Sequence, residues 1–98
     1  MDEASLHPQA GGRVLLELEE AGEAAVRYRV TLFTPDARFE GRAILDPQAG
    51  QSVCEGLEGA PAWLVAQVRP FLRQLWTARR GGAGPRWPRR VLRWRQER

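Results

Sequence analysis

The chain has 98 residues, 15 basic and 12 acidic side chains, a net charge of +3, 43 % apolar residues and one cysteine. That length supports a single hydrophobic core, and the composition is globular rather than that of a disordered tail or a collagen-like repeat. The longest apolar run, Ala60 to Ala66, is far below the roughly 20 residues that span a bilayer, so no integral membrane association is expected.

Residues 1–12 contain Pro8 and Gly11-Gly12 and show no periodicity, which reads as a flexible N-terminal arm. An α+β domain is predicted over 13–80. From Arg13 to Glu20, Val14, Leu16 and Leu18 alternate with Leu15, Glu17 and Glu19, the period of a half-buried strand. Glu20 to Glu23 is a turn. From Ala24 to Thr34, Val26, Tyr28, Val30 and Leu32 face one way, while Arg27, Arg29, Thr31 and Phe33 face the other. This segment is rich in β-branched and aromatic residues and is the clearest strand.

Thr34-Pro35-Asp36-Ala37 is a tight turn: Pro35 pre-sets φ at the first central position and Asp36 suits the second. A third strand runs from Arg38 to Leu45, where Gly41 marks either a bulge or a point of close packing. Asp46 to Gly50 is another turn, and Gln51 to Leu57 can supply a short fourth strand. Short turns between successive strands predict an antiparallel meander, with cross-strand pairing among Arg27, Arg29, Arg38, Glu40 and Arg42 on its polar face.

A helix is predicted within 61–80 to cover the apolar face. Pro61 suits the first helical position, and Leu64, Val68, Phe71, Leu72 and Leu75 recur at spacings of three and four. Pro70 interrupts it. A proline inside a helix removes a donor and clashes with the preceding turn, so a kink near Ala66 or two helical pieces are expected. A Gly-rich linker, 81–85, stops the helix. The tail, 86–98, aligns Trp87, Val91 and Trp94 if helical, but Leu92 with Trp94, and Val91 on the reverse, if extended. A strand that adds to the sheet is the favoured reading.

Charge is strongly segregated. Residues 1–60 hold eleven acids and five arginines, net −6; residues 61–98 hold ten arginines and Glu97, net +9. Lys and Asn are absent, which a GC-rich coding sequence explains, but codon bias does not explain the segregation. A basic segment on an acidic domain points to an external polyanion or to internal neutralisation by Glu17, Glu19, Glu20 and Glu23.

Catalytic chemistry finds little support. His7 lies in the arm with no partner to fix it. Cys54 reads as a small apolar filler, and Ser5, Ser52, Thr31, Thr34 and Thr77 have no ordered base to activate them. Asp36 and Asp46 could in principle pair, yet both occupy turn positions that favour Asp for backbone reasons. One His and one Cys cannot make a structural zinc site, there is no calcium loop, and the Gly-rich linker lacks the Lys-Ser/Thr of a phosphate loop. No cofactor and no small-molecule substrate is therefore predicted. The acidic start Met1-Asp2-Glu3 is unlike a secretory leader and Cys54 cannot close an internal disulfide, which together predict a cytoplasmic protein.

The favoured function is a non-enzymatic interaction module that self-associates as a homodimer. It rests on a sheet with more surface than one helix covers and on Leu15, Phe33 and Ile44 facing outward as an apolar patch. The alternative is a polyanion-binding module for single-stranded nucleic acid through Arg86, Trp87, Arg89, Arg90, Arg93, Trp94 and Arg95. Arginines neutralise phosphates and indoles stack bases. An anionic membrane surface is a third, weaker reading. Trp63 and Trp76 are expected at the core, whereas Trp87 and Trp94 are open between packing and contact.

Overall fold

In the computed structural model, residues 6–80 and 87–96 are described. They form an α+β fold: a five-stranded antiparallel sheet with helix on one face. Strands β1 (Gly12–Ala21), β2 (Val26–Phe33), β3 (Arg38–Leu45) and β4 (Ser52–Glu55) make the meander. Two helical segments follow, α1 (Ala62–Val65) and α2 (Val68–Arg80), and β5 (Arg90–Arg95) then returns to the sheet. The order across the sheet is β4-β3-β2-β1-β5. The tail is thus a strand, and it pairs with β1. The linker predicted at 81–85, together with Arg86, lies outside the described residues.

Alternation decides which face is buried. Val14, Leu16, Val26, Tyr28, Val30, Leu32, Ala43 and Leu45 all point to the helix side and are almost wholly buried beneath Leu64, Val68, Phe71 and Leu72. Burying one such large side chain stabilises the fold by about 1.5–3 kcal/mol. Leu18 and Leu75, expected in the core, are only half-buried at its margin. Gly41 marks close packing rather than a bulge: a side-chain carbon there would lie 2.5 Å from the Glu55 carbonyl oxygen and 2.7 Å from Leu57.

The bulge lies instead in β1. Leu18 stands opposite Tyr28, yet Glu20 stands opposite Arg27, so Glu19 is the extra residue. Strict alternation would turn Glu20 toward the core. The inserted residue puts its carboxylate on the polar face with Arg27 and returns Ala21 to register with Val26. Helix placement answers to Pro70. The helix stops at Val65 and restarts at Val68, so Pro70 falls in the first turn of α2, where no intrahelical donor is required.

The second face of the sheet departs from expectation. Leu15 and Phe33 are not an exposed patch; they are buried under Leu6, with Leu92 packed beside them. Leu6 and His7, read as part of a loose arm, here pack on this face. His7 is not a solvated side chain either: its Nδ1 donates to the Thr34 carbonyl at 2.7 Å and its ring meets Phe33 edge-on at 5.2 Å. Of the three outward apolar residues, only Ile44 keeps partial exposure.

Tyr28 ties the meander to the tail. Its ring is wholly buried and its hydroxyl donates to the Pro88 carbonyl at 2.8 Å. Burial pushes its pKa up to about 12 from an ordinary value of 10. Between those values the unfolded chain loses the proton while the folded chain keeps it, so stability falls as pH rises from about 10 towards 12. Because Tyr28 is the only tyrosine, tyrosinate absorbance reports this one group. It should appear late and together with unfolding, and Tyr28→Phe should lack that share of the alkaline loss.

Candidate nucleic-acid interface

The two faces of the sheet differ in how their charges are balanced. On the face away from the helices, strand register aligns side chains in rows across the strands. One row runs Glu55, Arg42, Arg29, Glu17, Arg90; the next runs Glu40, Thr31, Leu15, Leu92. Arginine and glutamate answer each other here. The Arg42 Nε donates to Glu19 Oε1 at 2.7 Å, and Glu40 takes Arg38 at 3.5 Å and Arg29 at 3.8 Å. The hydrogen bond and charge of Arg42 hold the Glu19 carboxyl below its usual range, and Glu19 in turn raises Arg42. A shallow depression of about 540 Å³ on this face is lined by Arg29, Arg42, Glu40 and Glu55, a set already balanced within itself.

The helix layer and the helix-facing side of β5 have no such balance. From Gly59 to Gln96 the sequence holds no Asp or Glu. Arg69 and Arg73 are exposed on α2, and Arg89, Arg90 and Arg93 on the returning chain. Among the described residues, no carboxylate lies within ion-pair distance of Arg69, Arg73, Arg89, Arg93 or Arg95. Several of these guanidinium groups are held by rings instead. Arg95 lies 4.5 Å from the Phe71 ring centre, Arg73 lies 5.8 Å from Trp76, and Arg79 lies 5.3 Å from Trp87.

The seven tail residues separate by face. Arg86 is outside the described residues. Trp87 is buried and belongs to the core, so it offers no surface to a ligand. Val91 opposes Leu16 and Arg93 opposes Val14, which puts Arg93 and Arg95 on the helix side. Arg90 opposes Glu17 and Trp94 opposes Arg13, on the other side. Arg89 precedes the strand, and its carbonyl accepts from the Leu18 amide at 2.8 Å. Trp94 alone of the two open tryptophans is exposed, at 48 %. The pleat thus sends apart residues that the sequence reading joined. Arg69 and Arg73 of α2, outside that reading's set, belong to the same acid-free stretch.

The outer edge of β5 has its own chemistry. The pairing of Leu18 with Arg89 fixes which backbone groups bond to β1, and it leaves those of Arg90, Leu92 and Trp94 pointing outward. The two outward carbonyls at Leu92 and Trp94 accept from Nη1 of Arg93 and of Arg95, each at 2.9 Å. This edge therefore presents amide donors and guanidinium groups, while two of its three outward carbonyls are occupied and that of Arg90 is not.

The remaining candidates sit in structural settings. Asp46 accepts from the Gln48 amide at 2.8 Å and Asp36 accepts from the Thr34 hydroxyl at 3.3 Å, each organising its own turn. Cys54 is half-buried and burial pushes its thiol up, against a smaller opposing effect of Arg69. Among the described residues no three His, Cys, Asp or Glu side chains gather to hold a metal, and no helix is long and apolar enough to cross a membrane. Comparison with protein-family models, with curated proteins and with solved structures finds no match for this chain.

Proposed function

We propose that the protein binds a polyanion through the layer formed by α2 and β5. The observation that carries this reading is the set Arg69, Arg73, Arg89, Arg93 and Arg95 on α2 and the returning chain, none of which has a carboxylate within ion-pair distance among the described residues. The acid placed beside this set is Glu23, which lines one depression with Arg79 and Arg89. Arginines 89 to 95 span about 20 Å along an extended strand, long enough to follow several phosphates. The balanced opposite face explains how a protein of net charge +3 can still present one strongly basic side.

Binding of a labelled oligothymidylate, followed by fluorescence anisotropy at several salt concentrations, tests this. Each phosphate neutralised on a single strand contributes about −0.7 to the slope of log affinity against log salt. The double variant Arg93→Gln/Arg95→Gln should flatten that slope by about 1.4 if both residues contact phosphate. A wild type that binds nothing at low salt removes the reading.

Self-association is a second reading, carried by the opposite edge. Val53 on β4 is 62 % exposed, beside half-buried Ile44 in register on the polar face. β4 is an edge strand with open backbone groups, and pairing with β4 of a second copy would cover both features. Sedimentation velocity of the same samples reads this: a strict monomer at the highest soluble concentration eliminates it.

A further inference from the structure

We propose that the polyanion is a single-stranded nucleic acid and that one of its bases stacks on Trp94; this rests on the basic-layer reading above. Trp94 is a large apolar side chain left 48 % exposed near the C-terminal end of a basic strand. Its ring is held in place. Nε1 donates to the Ala10 carbonyl at 2.8 Å, and the indole lies so near Gly11 that a side-chain carbon there would come within 3.2 Å of it. An indole oriented before binding loses little freedom when a base docks on it.

Position along the strand supplies the rest. Arg93 and Arg95 flank Trp94 in sequence and project to the helix side, whereas Trp94 projects to the other. A strand lying over the β5 edge meets guanidinium groups on one side of the edge and an indole on the other. Single-stranded nucleic acid has this division, with phosphates along one side and splayed bases along the other. Arg13 stands opposite Trp94 in register, adding a cation beside the ring. The edge itself favours an anion over an added peptide strand. Two of its three outward carbonyls, those of Leu92 and Trp94, are already bonded by Arg93 and Arg95, so an incoming strand would find its donors but only the Arg90 carbonyl as an uncovered acceptor.

Three probes on the wild-type protein separate this inference from its parent: oligothymidylate, an abasic oligonucleotide of equal length, and inorganic polyphosphate. Stacking is worth about 1–3 kcal/mol per base, so the abasic strand should bind about 5- to 150-fold more weakly than oligothymidylate. Trp94→Ala should lose the same factor for oligothymidylate and leave polyphosphate binding unchanged. Equal affinity of wild type for the abasic and the base-bearing strand overturns the inference and leaves the basic layer standing, and it does so whether or not the Ala variant folds. Equal losses on oligothymidylate and polyphosphate in a folded Trp94→Ala variant also overturn it. Binding of none of the three overturns the basic layer and this inference with it.

Discussion

Replacing Trp87 with Ala should destabilise the protein by about 3–5 kcal/mol, the usual range for deleting a buried Trp. The side chain is 7 % exposed and belongs to the main core, although it lies among arginines in sequence. Two effects add. The cavity forfeits contacts with the core, and Arg79 loses the ring it stands over at 5.3 Å. The neighbouring residue sharpens the effect, because the Pro88 carbonyl holds the Tyr28 hydroxyl. Loosening the chain at Trp87 would strand that hydroxyl in an apolar site, where an unpaired group costs about 1–3 kcal/mol. Thermal or urea unfolding measures the loss. Trp94→Ala is the control and should shift stability far less, since that ring is half exposed. A Trp87→Ala variant as stable as wild type would contradict the buried position of this residue.

Gly50→Ala should cost a comparable amount, about 2–5 kcal/mol from two sources. Gly50 has φ of +77°, a region that disfavours a side chain by about 1–2 kcal/mol. Crowding adds about 1–3 kcal/mol, the range for forcing extra volume into a packed site. The new methyl would lie 2.6 Å from the Trp76 ring, which is fixed by a 2.9 Å bond from its Nε1 to the Pro47 carbonyl. The two sources can be separated by a double-mutant cycle. In a Trp76→Ala background the crowding disappears, so Gly50→Ala should cost only the backbone share. Additive effects of the two substitutions would show that the ring and the glycine do not interact.

Much of the fold was legible because local and global preferences agree. Alternation placed the first three strands within two residues of their ends, and Pro70 located the helix break by sterics alone. The strand reading of the tail correctly put Val91 on one face and Leu92 with Trp94 on the other. What escaped was set by contacts far apart in sequence. Nothing local distinguishes Leu6, one leucine between acidic residues and a proline, as the lid over Leu15 and Phe33. Trp87 and Trp94 have almost identical neighbours, Arg on both sides or Arg and Pro, yet one is core and the other surface. Only the pairing of β5 with β1 decides between them. The basic region was visible as charge, but its division by the pleat required the register.

That pairing also has a kinetic side. β1 to β4 are joined by short turns, so their pairings form between segments close in sequence. β5 pairs Arg95 with Gly12, bringing together residues from the two ends of the described chain. Closing so long a loop adds little to the equilibrium cost, roughly 0.6 kcal/mol per doubling of length, but contacts of high sequence separation are slow to form. The meander should therefore make up the folding nucleus, with β5 docking after the rate-limiting barrier. On that order of events, Val91→Ala should raise the unfolding rate and leave the refolding rate nearly unchanged, while Val30→Ala in central β2 should slow refolding. Stopped-flow chevrons of the two variants distinguish them. On the same order of events the basic edge is expected to be the last part of the sheet to assemble and the first to open, so any change that secures β5 to β1 should slow unfolding.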